Sequence, residues 1–359
     1  MTSMTQSLLY IVYGADTYHR EALFSIASAC AQLARDSGAG ERIDIQVWTD
    51  RPEPYQGLPV AVQALSPEQL QAWRGPHGYH FRAKHAVLRE ALRAAERAIL
   101  IDTDTFFHTS PSVLFSYLQP GALLCNRIGP AYGERREETL YVALASRLQQ
   151  RGQADDGMPM LNSGVIGLCR EDACLLDHSL ALMDELFPHA QGAYTLEEFV
   201  LAVACRTAGL TLKDCADDIH HYWSRKALFR AKIDAWLQKH RDRLLSPDAL
   251  ADTFRISSEL PRPPSPTRLR MKLITCLLPR AQRQFARELL YGCYPYPNEF
   301  DRACGPVWWE KAAINLRERD AKAAPAAWLR NPLLRMLLGS NAARITAHLK
   351  AQGLLDAPH

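Results

Sequence analysis

Two carboxylates one residue apart, Asp102 and Asp104, directly follow the apolar run at residues 98–101. Such a run predicts a short strand that is buried on both faces and ends where the chain meets water. Ligands of open α/β sheets bind at the carboxyl ends of the strands, and two neighbouring carboxylates can present oxygens to one hard divalent cation. A solvated turn is the alternative, because Asp and Thr are ordinary residues after a strand. The segment leaves both interpretations open.

The elements that would position these aspartates alternate between strand and helix. Residues 8–13 predict a first strand, which a helix-period pattern follows, and residues 43–48 predict a second strand that ends at Thr49 and Asp50. A further helix is expected to begin near Tyr79 and to lead into the strand before Asp102. This order of strand, helix and strand predicts an α/β protein with a mostly parallel sheet.

Two more segments carry polar residues at places where elements begin. The stretch 160–170 predicts a strand with Asn162, Ser163 and Gly164 at its start, after a short apolar run at 122–126. A helix over about 172–187 leads into the sequence TLEEFVLAV, which predicts another helix.

Composition limits the classes of protein that this chain can be. Its 359 residues are 47% apolar and 23% charged, which is typical of a soluble globular protein. The formal net charge of +3 is too small to indicate a nucleic-acid partner, and no apolar run approaches the ~20 residues that a spanning helix needs. Nine cysteines include no CxxC pair, and with no recognisable leader they lead us to expect reduced thiols in a cytoplasmic protein.

Four features in a fixed order narrow the function. They are Asp-Thr-Asp at 102–104, Asn-Ser-Gly at 162–164, Leu-Glu-Glu at 196–198 and IHHYWSRK at 219–226. Their order resembles nucleotide-sugar-dependent glycosyltransferases of the GT-A fold. Within that fold it is most similar to family eight, the glycogenin and bacterial galactosyltransferase type, and its bacterial relatives. The resemblance covers roughly residues 7–230.

The resemblance implies a GT-A (nucleotide-diphospho-sugar transferase) fold and a metal-dependent transfer reaction. The enzyme would move a sugar, expected to be a hexose, from a nucleotide-diphosphate donor, expected to be UDP-linked, to a saccharide, glycolipid or protein acceptor. Mn²⁺ or Mg²⁺ would stabilise the leaving diphosphate and would be held by Asp102, Asp104 and a histidine. His220 has the family spacing to Lys226, whereas His221 precedes an aromatic residue as in the family motif, and we slightly prefer His221.

The resemblance also assigns contacts to the donor. Lys226 would hold the diphosphate, and Arg82 or Lys84 would add a second cation near the metal-bound carboxylates, unless both lie on a solvated helix face. The remaining expected donor contacts are Tyr13, Gly14, Asp16, Asp50, Thr103, Asn162, Ser163 and Gly164.

Two glutamates are the expected catalytic groups, together with Lys226. The family pattern places Glu197 on sugar hydroxyls and Glu198 beside the anomeric carbon, where the family usually has glutamine. A carboxylate there could act as base or nucleophile, so the stereochemical outcome is left open. A structural alternative is that Thr195 and Glu198 form a capping box for the helix.

Other functions compete with this hypothesis. A sugar-phosphate nucleotidyltransferase shares the α/β core, but such enzymes usually carry a glycine- and basic-rich loop after the first strand, which YGADTYHRE lacks. A protein with a GT-A-like fold that binds without catalysis is the other alternative. The presence of Asp102, Asp104 and Lys226 argues against it, while the altered histidine motif keeps it open.

We expect a catalytic domain over residues 1–245 and a mainly helical extension over 246–359. Residues 262–287 carry seven basic and no acidic side chains, with leucines interspersed. They could contact an anionic membrane, which would place the protein at the inner face of the cytoplasmic membrane. We favour the alternative, in which Leu269, Leu273, Leu277 and Leu278 pack against the catalytic domain.

Overall fold

Strands and helices alternate through the first two thirds of the chain. The computed structural model describes residues 5–36, 42–320 and 325–355. The described strands are β1 (Gln6–Val12), β2 (Ile43–Thr49), β3 (Ala61–Ala64), β4 (Arg97–Ile101), β5 (Thr105–Phe107), β6 (Ala122–Ala131), β7 (Pro159–Cys169), β8 (Thr211–Asp214) and β9 (Ile219–His221). The described α-helices are α1 (Asp16–Arg35), α2 (Pro67–Arg74), α3 (Arg82–Ala91), α4 (Pro111–Ser116), α5 (Thr139–Gln150), α6 (Cys174–Leu186), α7 (Leu196–Ala208), α8 (Lys226–His240), α9 (Pro247–Thr253), α10 (Ser265–Thr275), α11 (Arg283–Gly292), α12 (Glu299–Arg302), α13 (Gly305–Arg319), α14 (Pro325–Leu329), α15 (Pro332–Leu338) and α16 (Asn341–Ala351).

Seven of the described strands form one sheet, in the order β3-β2-β1-β4-β7-β6-β8. The pairs β3-β2, β2-β1, β1-β4 and β6-β8 are parallel, whereas β7 is antiparallel to both β4 and β6. β5 and β9 form a separate antiparallel pair. The expected α/β class, with a mostly parallel sheet and flanking helices, is confirmed.

β4 is buried on both faces, as its apolar run predicts. Ala98 and Leu100 belong to a core that includes side chains of α3, α6 and α7, while Ile99 and Ile101 belong to a core that includes side chains of α1 and α4. Successive side chains of a strand point to opposite faces, so helices on both sides of the sheet require four apolar residues in a row. The chain leaves this core at Asp102.

Some element boundaries differ from those expected. α3 begins at Arg82 instead of near Tyr79, because the preceding residues form a tight turn in which Arg82 N–H donates to Tyr79 O. β7 begins at Pro159, so Asn162 to Gly164 lie inside the strand. Asn162 stands opposite Arg127 of β6, and this antiparallel pairing keeps polar residues in the ladder.

The chain divides into two compact units. The first comprises Met1–Trp223 and Leu244–Leu250, and the second comprises Ser224–Arg243 and Ala251–His359. All described strands lie in the first unit, and the described regular elements of the second are helical. The second unit has its own apolar core, which includes Phe285, Leu289 and Trp309. Among the described residues, none of the helices has the length and apolar character needed to cross a bilayer.

The leucines of residues 269–278 do not pack as we expected. Leu269, Leu273 and Leu277 are 58%, 63% and 71% exposed, and of the four leucines only Leu278 is buried. The favoured alternative is therefore wrong for Leu269, Leu273 and Leu277, and Leu278 belongs to the core of the second unit. The reason is the rotation of α10 about its own axis, which turns Met271 and Ile274 toward the core of the second unit and the three exposed leucines away from it.

Candidate functional site

Three side chains that could bind a metal converge where β4 ends. One ligand atom from each of Asp102, Asp104 and His221 lies within 4.8 Å of the others. Backbone hydrogen bonds fix both aspartates, since Asp102 N–H donates to Gly164 O at 2.9 Å and Tyr222 N–H donates to Asp104 O at 3.0 Å. The antiparallel pairing of β5 with β9 then brings His221 Nε2 to 3.4 Å from Asp104 Oδ1 and 3.9 Å from Asp102 Oδ2.

Asn162 determines which nitrogen of His221 faces the aspartates. Asn162 Oδ1 accepts from Gly164 N–H at 3.1 Å, and Asn162 Nδ2 donates to Glu198 Oε1 at 2.9 Å, so the orientation of the amide is fixed. The same Oδ1 lies 2.8 Å from His221 Nδ1, which we therefore assign as the protonated nitrogen. Nε2 is left with its lone pair toward the carboxylates, which is the tautomer that a metal-binding histidine needs.

Gly164 makes room for the His221 ring. A Cβ atom at this position would lie 2.3 Å from Nδ1 of His221, and its three nearest neighbours would all be atoms of that ring. As an expected donor contact, Gly164 would allow a ligand to approach the backbone closely. The structure gives it a second purpose, because any other residue would push His221 away from the aspartates.

Lys84 is a buried cation beside the cluster. Its Nζ donates to Asp102 Oδ2 at 2.8 Å and to Ser163 Oγ at 3.2 Å, and it lies 3.8 Å from Glu197 Oε1. Burial disfavours the charged form, but the carboxylates of Asp102 and Glu197 hold the pKa of Lys84 above its ordinary value. The solvated-face alternative is wrong for Lys84, which contacts an expected metal-binding carboxylate as the resemblance implied.

Glu197 and Glu198 extend the acidic group along the start of α7. Tyr79 OH donates to Glu197 Oε2 at 2.8 Å, and Ser163 Oγ donates to Glu197 Oε1 at 3.2 Å. Glu198 Oε1 accepts from Asn162 Nδ2 and from Ser163 N–H, each at 2.9 Å. Burial raises the pKa of both carboxyl groups, and burial together with the charge of Glu197 raises the pKa of Glu198 to about 7.

The charges of this group favour a bound cation. The group comprises the ammonium of Lys84 and the carboxylates of Asp102, Asp104, Glu197 and Glu198. With Glu198 ionised, its net charge is −3, which a divalent cation would reduce to −1. Carboxylate oxygens and a neutral imidazole suit a hard or intermediate divalent cation such as Mg²⁺ or Mn²⁺. The residues therefore fit the metal that the sequence predicted.

His220 lies on the opposite face of β9 from His221. Its ring centroid is 5.2 Å from that of Phe106 and 5.9 Å from that of His108. Adjacent residues of a strand point to opposite sides, so the two histidines cannot serve one ion together. The structure brings His221, and not His220, to the aspartates.

Arg82 is held away from the cluster. Its Nε and Nη2 donate to the two carboxylate oxygens of Asp184 on α6, at 2.7 and 2.8 Å, and its Nη1 donates to Trp73 O at 2.9 Å. Arg82 and Lys84 are two residues apart on α3, and a rotation of about 100° per residue turns them to different sides of the helix. Of these two cations, the structure brings Lys84 to the site.

The expected nucleoside contacts lie at the carboxyl ends of β1 and β2. Gly14 has a φ of +88°, which favours glycine, and its N–H donates to Asp50 Oδ2 at 2.9 Å. Tyr13 is partly buried, and its OH donates to His80 O at 3.0 Å. Asp16 forms ion pairs with Arg20 and Arg51. These residues form one edge of the sheet, and their contact with a donor stays a prediction.

A buried histidine, His19, supports this edge, and no sequence pattern indicated it. Arg51 Nε donates to His19 Nε2 at 3.1 Å, and His19 Nδ1 lies 3.2 Å from Tyr55 OH. Burial and the nearby charge of Arg51 lower the pKa of His19, so the neutral ring can accept the hydrogen bond that Arg51 donates. Tyr79, which holds Glu197, was also missed, because its position before a helix carries no signal of its own.

Three further expectations complete the site. Thr103 lies between the two aspartates and is partly exposed. Lys226 is the first residue of α8, in the second unit, and its role stays a prediction. The capping-box alternative for α7 is wrong, because the Thr195 side chain makes no capping hydrogen bond with the described residues, and the Glu198 carboxylate accepts hydrogen bonds from β7 instead.

Comparisons with known proteins do not assign a family. No protein-family model matches the chain, and no curated protein matches it. Among solved structures, the chain is similar to mouse xyloside xylosyltransferase 1 in its apo form. The TM-score is 0.40 and the sequence identity is 14%, over 59% of this chain and 85% of that one. A likeness at this level does not decide the function, which we infer from the residues of the site.

Proposed function

We propose that this protein is a metal-dependent glycosyltransferase of the GT-A type that moves a sugar from a nucleotide-diphosphate sugar to an acceptor. The observation that carries the proposal is the convergence of Asp102, Asp104 and His221 at the end of β4, beside Lys84. We keep the division expected from the sequence, with a catalytic domain over residues 1–245 and an extension over 246–359, and the catalytic domain so defined includes Ser224–Arg243 of the second compact unit. The donor is a UDP-linked hexose, and the acceptor is a saccharide, a glycolipid or a protein.

The proposed metal site answers the main chemical need of this reaction. Cleavage of the glycosidic bond develops negative charge on a nucleoside diphosphate, and a bound Mn²⁺ or Mg²⁺ would stabilise that charge. Asp102, Asp104 and His221 would hold the ion. Lys84 holds the Asp102 carboxylate in place through its 2.8 Å hydrogen bond, and Lys226 would add a charge on the diphosphate.

The glutamates are the groups proposed to face the transferred sugar. Glu197 and Glu198 are both anchored by hydrogen bonds to Ser163, which would hold them still during the reaction. A carboxyl group with a pKa near neutrality can accept or release a proton at working pH. The raised pKa of Glu198, about 7, therefore supports its role beside the reacting carbon.

Thermal denaturation with a panel of nucleotide sugars, with and without Mn²⁺, tests the proposal. A donor at 100 times its Kd stabilises the folded state by about 2.7 kcal/mol, which raises Tm by a few degrees. We expect this rise to require Mn²⁺ and to be lost in Asp104→Asn. Asp214→Asn, at an exposed position on β8, removes the same charge away from the site and should keep the response.

Two results would contradict the proposal. One is the absence of Mn²⁺-dependent stabilisation by every nucleotide sugar tested. The other is turnover of a nucleoside triphosphate and a sugar phosphate with release of pyrophosphate, which would identify a nucleotidyltransferase. Release of the nucleoside diphosphate in the presence of a saccharide acceptor would support glycosyl transfer.

A further inference from the structure

One face of α10 exposes a row of leucines. Leu269, Leu273 and Leu277 are 58%, 63% and 71% exposed. They are spaced by four residues, which places them on one side of a helix. Leu277 follows the last residue of α10, and its N–H donates to Ile274 O at 3.4 Å, so the helical course continues to it. We call these three residues the leucine face.

The opposite face of α10 fixes the helix in this orientation. Met271 and Ile274 pack against the core of the second unit, and Thr275 and Leu278 are 0% and 2% exposed. These positions have the spacing of three and four residues that defines one side of a helix. Rolling the helix to hide the leucine face would expose this side, so the leucines stay in solvent.

Basic residues border the leucine face on both sides. With a rotation of about 100° per residue, the three leucines span about 80° of the helix. Arg270 lies just beyond one border of that arc and Lys272 beyond the other, and both are exposed. Residues 262–287 contain seven basic and no acidic side chains, and the acidic residue that follows, Glu288, is only 8% exposed.

We propose that the leucine face and its bordering basic residues bind the surface of an anionic phospholipid bilayer. An apolar strip between two cationic borders suits the boundary between lipid headgroups and acyl chains, because leucines can enter the acyl region while the cations contact lipid phosphates. The single sign of charge over 26 residues favours a surface that is anionic everywhere. This inference does not depend on the proposed glycosyltransferase activity, and it concerns binding alone.

Sedimentation of the full chain with lipid vesicles tests the charges. We expect binding to vesicles that contain phosphatidylglycerol, weaker binding at high salt, and little binding to pure phosphatidylcholine. Each basic residue near such a surface contributes about fivefold to the affinity, so Arg270→Gln/Lys272→Gln should weaken binding about 30-fold. The matched control, Arg330→Gln/Lys350→Gln, removes two exposed charges from the same unit and should change binding less than threefold.

A second pair of variants tests the leucines. Leu273→Gln/Leu277→Gln should weaken binding at least tenfold, because about 25 cal/mol is lost for each Å² of apolar surface that no longer enters the bilayer. Met336→Gln replaces a side chain that is 70% exposed on α15, and it should have little effect. All replaced side chains are exposed, so unchanged thermal melting will show that the variants fold.

Several outcomes would overturn the membrane assignment. Equal binding to neutral and anionic vesicles, or no binding by the unmodified chain, would do so. Equal losses in the test and control variants would show that net charge alone is responsible. A dimer that dissociates in Leu273→Gln/Leu277→Gln, without vesicle binding, would make the leucine face a self-association surface.

Discussion

Replacing Gly164 by alanine should displace His221, the third ligand of the proposed metal site, although none of the three ligand residues is itself replaced. The added Cβ would lie 2.3 Å from Nδ1 of His221, where an ordinary contact needs at least 3.4 Å. The ring must therefore move by about 1.1 Å, whereas metal–ligand distances tolerate only about 0.2 Å. His221 Nε2 would no longer reach an ion held by Asp102 and Asp104.

The expected size of the effect can be measured directly. Losing the orientation of a ligand typically costs 10- to 100-fold in metal affinity, which is about 1.4 to 2.7 kcal/mol. Isothermal titration of the purified protein with Mn²⁺ gives this number without any need for a substrate. Gly157→Ala is the matched control, because its Cβ would meet only Asp155 Oδ1 at 3.4 Å.

A double-mutant cycle shows whether the cause is the His221 ring. In wild type, Gly164→Ala should lower the free energy of unfolding by about 1 to 3 kcal/mol, which is the usual cost of overpacking. In a His221→Ala background the three nearest atoms are gone, so the same substitution should be nearly neutral. Additive effects in this cycle, or a Gly164→Ala protein that binds Mn²⁺ as tightly as wild type, would refute the reasoning.

Three other predictions concern neighbouring groups. His221→Ala should raise the Mn²⁺ concentration at half saturation at least tenfold, and His220→Ala should change it less than threefold, because only the His221 ring faces the aspartates. The opposite ranking in the same titration would identify His220 as the ligand. Glu198→Gln should stabilise the chain in chelator by an amount that grows as pH rises from 5 to 7 and is then constant. The folded-state pKa of Glu198 is about 7, above the 4.5 of an unperturbed carboxyl. Between these values the folded chain binds more protons than the unfolded chain, so the wild type loses stability as pH rises. A stability difference between variant and wild type that is independent of pH would contradict this. Tyr79→Phe removes the hydrogen bond that Tyr79 OH donates to Oε2 of the buried Glu197 carboxylate, and it should lower the free energy of unfolding in urea by about 1 to 3 kcal/mol. An unchanged midpoint would mean that this 2.8 Å hydrogen bond contributes nothing.

The order of elements and the position of the aspartates were predictable because local sequence decides them. Four apolar residues in a row before Asp102 require burial on both faces, and alternating strand and helix patterns require a mostly parallel sheet. Asp102 therefore had to stand at the edge of the sheet. The length of β7 was less predictable, because its ladder with β6 continues through polar residues whose sequence resembles a loop.

The two histidines mark what the tertiary structure decided. Motif spacing favoured His220 and the following aromatic residue favoured His221, and neither pattern could choose between them. The choice follows from the pairing of Thr105 with His221, residues that are far apart in sequence. In the same way, both Arg82 and Lys84 begin α3, and only the packing of α3 against its neighbours turns Lys84 toward Asp102.

The leucines of α10 show the same division. The helix has apolar residues on two sides, Met271 and Ile274 on one and the leucine face on the other, so its periodicity predicts a helix but not which side is buried. The sequence by itself determined the order of the main strands and helices and which residues could do chemistry, because burial and backbone preference act over a few neighbouring residues. Contacts between distant segments decided which side chains face the metal site and which leucines face solvent, since the backbone hydrogen bonds of a helix, or of a strand paired with its neighbours, can be satisfied with either face turned inward.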